Sequence, residues 1–310
     1  MDPMFILWSV GAPALAAFLA VGASFLASRR LPKSEPPRYL WLAAAAVGLA
    51  FAVGSPGILG RFPTWPPAQA AEWLPLLGLA AVFLGVIDTL VHRMNFSWIV
   101  LTLMLGLLAW GTIAGPLGSA SKNAMGEGGV KAAWIAACAV LIILPALAAR
   151  HGAAATTHAG PPVALGLLAG VSIGAIIALA HTAKFGQFVS LLGLGIAPFA
   201  LMALIRGNWP IAPGVAPAFA ALHSIMWLLT HFYAPRDGHW ASTALACLAP
   251  AGLLVARIPA LSRKPKAAGI AQAVACVAMG AAAAVVLVAT APEPPADDDD
   301  GASLYYGLSD

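Results

Sequence analysis

Residues 131–149 read KAAWIAACAVLIILPALAA, and from Ala132 to Ala149 no charged side chain interrupts the run. A stretch of this kind is long enough to cross a hydrocarbon core, which takes about 20 apolar residues in helical form. The run is continuously apolar rather than alternating, so it reads as a helix and not as a strand of a β-barrel. Working outward, the same pattern recurs over 5–27, 39–60, 73–91 and 96–115 before it, and over 162–181, 185–205, 213–232, 240–256 and 268–291 after it. With 131–149 this makes ten spans. The expected fold class is all-α: a polytopic integral membrane protein, a bundle of about ten transmembrane helices in one domain over 1–291.

Composition leads to the same class. Of 310 residues, 61% are hydrophobic and 9% are charged, against about 25% charged in ordinary soluble domains. A soluble enzyme, a nucleic-acid binder, a disordered chain and a secreted disulfide scaffold are excluded as descriptions of the whole chain. The lipid bilayer is the expected partner, and no nucleic acid is. The cysteines Cys138, Cys247 and Cys276 lie inside apolar stretches without CxxC spacing. They read as small apolar fillers rather than as a disulfide framework or a zinc site. No metal and no cofactor are predicted.

The net charge is +4, and the basic residues sit in short loops. Arg29, Arg30, Lys33, Arg38, Arg93, Arg150, Arg206, Arg257, Arg263, Lys264 and Lys266 fall on one side of the ten-span layout. Arg61, Lys122, Lys131, Lys184 and Arg236 fall on the other. The bias places the first set in the cytoplasm and both termini outside it. The first span follows Met-Asp-Pro, with its arginines after it, which suits a retained helix rather than a cleaved signal. Short loops and an Ala/Gly-rich composition suggest a bacterial inner membrane. Residues 292–310, with Asp297 to Asp300, read as an acidic, disordered tail without the spacing of a calcium loop. The stretch Gly115 to Gly129 reads as a flexible loop. Trp41, Trp65, Trp73, Trp98, Trp134, Trp209 and Trp240 fall near span ends, as headgroup-level tryptophans do.

Two related halves, 1–155 and 156–291, are suggested by matching details. Span 2 ends near Trp65-Pro66 and span 7 near Trp209-Pro210, while Cys138 and Cys276 occupy similar Ala-rich surroundings. Five spans per half would make this a 5+5 inverted repeat, an architecture used by transporters. Helix breaks are expected at Pro56 and Gly57 and at Gly195 and Pro198, where a proline frees a carbonyl that needs a partner or a cavity. Gly166, Gly170 and Gly174, and Gly111 and Gly115, are spaced for close helix packing. An intramolecular contact is the expected use of the first stripe, and dimerisation the alternative.

Ionisable groups inside spans are costly and point to function. Asp88, with His92 one turn later, could pair as acid and base at the cytoplasmic edge or relay a proton or cation. His223 is the deepest titratable group, and His231 lies further along the same span. Each could couple protons or serve as a hydrogen-bonded neutral histidine. No HExxH or Walker A motif occurs, and Ser119 and Ser121 have no base nearby. The leading functional reading is a secondary transporter or permease-like protein for a small solute. The alternative is a non-catalytic membrane subunit or scaffold, packing against membrane-protein partners or further copies of itself. An enzyme is the third.

Overall fold

The computed structural model describes residues 3–30, 40–118, 127–155, 159–179, 183–206, 211, 213–233 and 240–290, with the side chains at 28–30, 178–179 and 206 excepted. The expectations placed on Arg29, Arg30, Lys33, Arg38, Ser119, Ser121, Lys122, Arg206, Trp209, Pro210, Arg236, the tail 292–310 and most of the loop 115–129 lie outside that set. Among the described residues, ten helices are long and apolar enough to cross a membrane. They are α1 (Pro3–Ala27), α2 (Leu40–Leu59), α3 (Ala70–Val91), α4 (Ser97–Ala114), α5 (Gly128–Ala153), α6 (Gly160–Ile177), α7 (Ala183–Ile205), α8 (Val215–Tyr233), α9 (Trp240–Arg257) and α10 (Pro265–Ala289). The protein is a polytopic helical bundle, and each of these helices falls on one of the ten apolar runs in the sequence.

The packing has a centre. Helices α2, α3, α4, α5, α9, α10, α6 and α7 touch in that order and close into a ring through α7 and α2. Helix α8 fills the ring and packs on α2, α3, α5, α6, α7 and α9. Helix α1 stands outside, against α2 and α7. Burial follows this plan, with 89% of α8 buried and only 22% of α1. Counting five helices on from α3 leads to α8, yet α3 is a ring member and α8 the centre.

Prolines shape the helices without ending them. Pro56, Pro145 and Pro198 lie inside continuous helix. In α1 the turn Leu7–Gly11 widens to a π-turn, closed by the Ala12 N–H on the Leu7 carbonyl. Pro13 follows, and its ring crowds the carbonyl four residues back, that of Ser9, so a wider turn accommodates it. Helix α9 begins as α-helix over Trp240–Leu248 and continues as 3₁₀-helix over Ala249–Arg257, with Pro250 at the change. Helix α2 ends on Gly60, whose φ of 72° is a left-handed terminating conformation that glycine adopts without cost.

Glycines set the closest approaches. A Cβ on Gly195 would lie 2.7 Å from the Cα of Val47, and one on Gly48 would lie 2.5 Å from the Val82 amide nitrogen. One on Gly252 would lie 2.8 Å from the Cys276 amide nitrogen. Lipid gives helices no hydrophobic reason to associate, so backbone-to-backbone contact of this kind supplies the attraction.

Candidate functional site

His223 sits in the middle of α8 and is fully buried. Its Nε2 lies 2.9 Å from the hydroxyl of Ser172 on α6, and the Trp227 indole N–H donates to that same hydroxyl at 3.4 Å. An indole can only donate, so the serine proton is free to point at His223 Nε2. That arrangement leaves the proton on Nδ1, which has no partner among the described residues. The ring stacks on Phe219, with centroids 5.8 Å apart. At the next position along α8 the Ser224 hydroxyl donates to the Cys247 carbonyl at 3.3 Å, and the Cys247 thiol donates back to the Ser224 carbonyl at 3.5 Å. These polar groups act as ties between α8 and its neighbours α6 and α9.

Asp88 is also buried, but its partner is not His92. Arg150 on α5 places Nε 2.9 Å from Oδ1 and 3.1 Å from Oδ2. The acid–base pair expected one turn along α3 is therefore replaced by an ion pair between α3 and α5, while His92 Nδ1 lies 2.8 Å from the Thr89 carbonyl. The Thr89 hydroxyl accepts the Gly214 N–H at 3.0 Å. A helix start leaves its first N–H groups without helical partners, and at the entrance to α8 Thr89 supplies an acceptor.

His231 lies near the opposite end of α8, among Trp134, Phe232 and Trp240, with centroids 5.9, 5.1 and 5.4 Å away. The structure thus separates the four candidates. Asp88 and His92 share one end of the bundle, His223 its middle and His231 the other end. Trp134 and Trp240 stack edge-on at 4.5 Å. They serve this cluster, whereas Trp41, Trp65 and Trp98 are exposed as a headgroup belt requires.

The helix-break and packing residues also have definite places. Gly195 approaches Val47, and Pro198 lies one turn further along α7, so the two expected breaks belong to helices that pack on each other. Gly57 approaches the Trp8 backbone, where a Cβ would lie 2.6 Å from the carbonyl oxygen. Gly115 faces Trp73 at 2.8 Å on the same measure, while Gly111 has open space. The α6 stripe departs from expectation. Gly166 meets Ile196 on α7 at 3.4 Å, but Gly170 and Gly174 are exposed and a Cβ on either would meet nothing within 4 Å. The stripe turns outward because α6 already packs α7, α8 and α10 through other residues, such as Leu168 and Val171 against Gly280.

Among the described residues, cavities open on the surface at two places near the expected break and packing residues. One, of about 340 Å³, lies between the π-turn of α1 and the end of α2 and is bordered by Pro56, Gly57 and Arg61. The other, of about 330 Å³, lies between α3 and α4 and is bordered by Trp73, Phe83, Met104 and Gly111. Neither is lined by Asp88 or His223. Among the described residues no group of three or more His, Cys, Asp and Glu side chains could hold a metal.

Three polar residues carry more than the sequence reading gave them. Glu72 is buried and accepts from Arg61 at 2.7 Å, Thr64 at 2.9 Å, and the Ala68 and Gln69 amides at 2.8 and 3.5 Å. The signal available for it was an acid and an arginine at the two ends of one short loop. Gln272 is buried on α10 and donates to the Gly152 carbonyl at 3.0 Å and the Leu253 carbonyl at 2.9 Å. Ser172 joins α6 to α8. The last two are uncharged residues in apolar runs and give no local signal. Compared with protein families, with curated proteins and with solved structures, the chain matches none.

Proposed function

We propose that this protein is a non-catalytic membrane subunit that associates with further membrane helices, its own copies or a partner's, through the outer face of α6. The observation that carries the reading is the outward turn of Gly170 and Gly174. Their backbone stands open to the bilayer, and small residues at four-residue spacing are the surface on which a second helix can approach closely.

The closed centre supports the same reading. Ser172, Ser224, Thr89 and Gln272 all spend their hydrogen bonds between helices. A permease needs a polar path that opens to water, and Asp88 and His223 lie in separate contacts away from both described cavities. The position of Asp88 and His223 outside these two cavities favours a subunit over a permease for a small solute.

The test is a double substitution, Gly170→Leu with Gly174→Leu. In the single chain both side chains enter open space, and leucine is a better helix former than glycine by about 0.8 kcal/mol. The fold should therefore be kept, as read by helicity and thermal unfolding after mild extraction. Cross-linking in native membranes should capture the unsubstituted chain in a larger assembly and the double variant as a single chain. A single chain in both cases, or an assembly indifferent to the substitutions, would overturn the proposal.

A further inference from the structure

The cavity between α1 and α2 is walled by Met4, Phe5, Trp8, Pro56 and Gly57, and among the described residues lining it Arg61 alone is charged. Arg61 stands just past the end of α2 at Leu59, at the depth where a membrane helix gives way to headgroups. A guanidinium presents five N–H donors in a planar fork. One of them meets Glu72 at 2.7 Å, and the side chain is still 54% exposed. Glu72 engages one terminal nitrogen of the arginine through Oε1, while its other oxygen accepts from Thr64 and the Ala68 amide. The acid fixes the direction in which the guanidinium points. Trp8, Phe62 and Trp65 are exposed at the same end of the bundle, and such rings settle at headgroup level.

From this we infer that the cleft is a binding site for an anionic phospholipid of the surrounding leaflet. The phosphate takes the unused N–H groups of Arg61, and the first part of an acyl chain lies along Met4, Phe5 and Trp8. The geometry has the two parts such a ligand needs: an apolar cavity of about 340 Å³ and one charge at its mouth. That volume is within the range of about 300–1,000 Å³ typical of small-ligand sites, and arginine is the side chain best matched to phosphate oxygens. A free inorganic anion would find the charge but leave the apolar walls unused. The proposal is independent of the assembly face on α6, which lies on a different helix.

The full chain in phosphatidylcholine nanodiscs, supplemented with a photoreactive phosphatidylglycerol carrying the reactive group on its acyl chain, provides the test. Peptide mapping should concentrate the adducts on residues 3–8 and 56–62. Arg61→Gln should reduce them about tenfold, as loss of a charge-assisted contact does, and Arg61→Lys should reduce them less. Because Arg61 also braces Glu72, a second variant leaves that pair untouched. Met4→Glu places an acid at the cavity and should cut labelling to a similar extent, with thermal unfolding showing that both variants fold. A photoreactive diacylglycerol, which lacks the phosphate, should label no better than the variants do. Adducts spread equally over the outer face of α4, or labelling unchanged by both variants, would overturn the proposal. So would loss of labelling to millimolar inorganic phosphate, which would identify a small-anion site instead.

Discussion

Arg150 reaches Asp88 from a helix that begins forty residues after the acid, and through Nε rather than through the fork of its terminal nitrogens. Asp88 itself is visible in the sequence as an acid inside a span, and His92 stands at the spacing that makes helical neighbours. The true partner is 62 residues away, and no local pattern encodes that distance. Removing one member of a buried pair leaves the other charge unpaired, which costs about 3–5 kcal/mol. Arg150→Leu should therefore lower the thermal midpoint sharply, and adding Asp88→Asn should recover most of the loss; equal midpoints for the single and double variants would contradict the pairing. His223 and Ser172 give the opposite ordering to the one a coupling histidine would predict. Ser172→Ala orphans both the Trp227 N–H and His223 Nε2, at about 1–3 kcal/mol for each buried group. His223→Leu removes the ring together with its unpartnered nitrogen and leaves one buried group, the Ser172 hydroxyl proton, without its acceptor, at about 1–3 kcal/mol. Denaturation of the two variants should rank Ser172→Ala as the more damaging.

Helix α9 looks in sequence like one more apolar run, with Pro250 as its only blemish. In the structure the proline marks a change of winding, and burial changes period with it. Pro250, Leu253 and Ala256 are buried at three-residue spacing, as are Ala249 and Gly252, while Leu254 and Arg257 are exposed. That is the eclipsed i, i+3 pattern of a 3₁₀-helix. The sequence does not show it, because every residue from Ala249 to Ala256 is apolar and no period shows in a uniform run. What holds the segment is Gln272, whose amide bridges the Leu253 carbonyl of α9 and the Gly152 carbonyl of α5. Gln272→Met keeps the volume and removes the donors. It should cost about 1–3 kcal/mol, and amide hydrogen exchange should accelerate at 249–257 more than in α2 or α8. Uniform exchange across the bundle would mean that the glutamine does not brace this element.

The number of spans was readable because lipid demands long apolar runs, and ten runs became ten helices. Their arrangement around α8 was not, since helices apolar on every side do not declare which neighbour they face. One trace of the arrangement was present. Helix α8 is the most buried span but has a mean hydropathy of only 1.4, whereas α1, which is 22% buried, reaches 2.1. In a bilayer the helix that meets lipid must be the more apolar one, so polarity in a span marks the interior. The whole bundle should accordingly shield its thiols. Cys138, Cys247 and Cys276 are fully buried, and a water-soluble maleimide should label none of them in native membranes until denaturant is added. Labelling of Cys247 in the folded protein would reveal water in the centre and return weight to a transport function. The winding of α9 has a further consequence at this scale. Its 18 residues would reach only about 27 Å as pure α-helix, short of a hydrocarbon core of about 30 Å. Nine of them at about 2.0 Å each lengthen the span by about 4–5 Å. Helix α9 therefore covers more depth than the equally long and wholly α-helical α4, by pitch instead of by added residues, and a thinner membrane should favour the return of its second half to the α form.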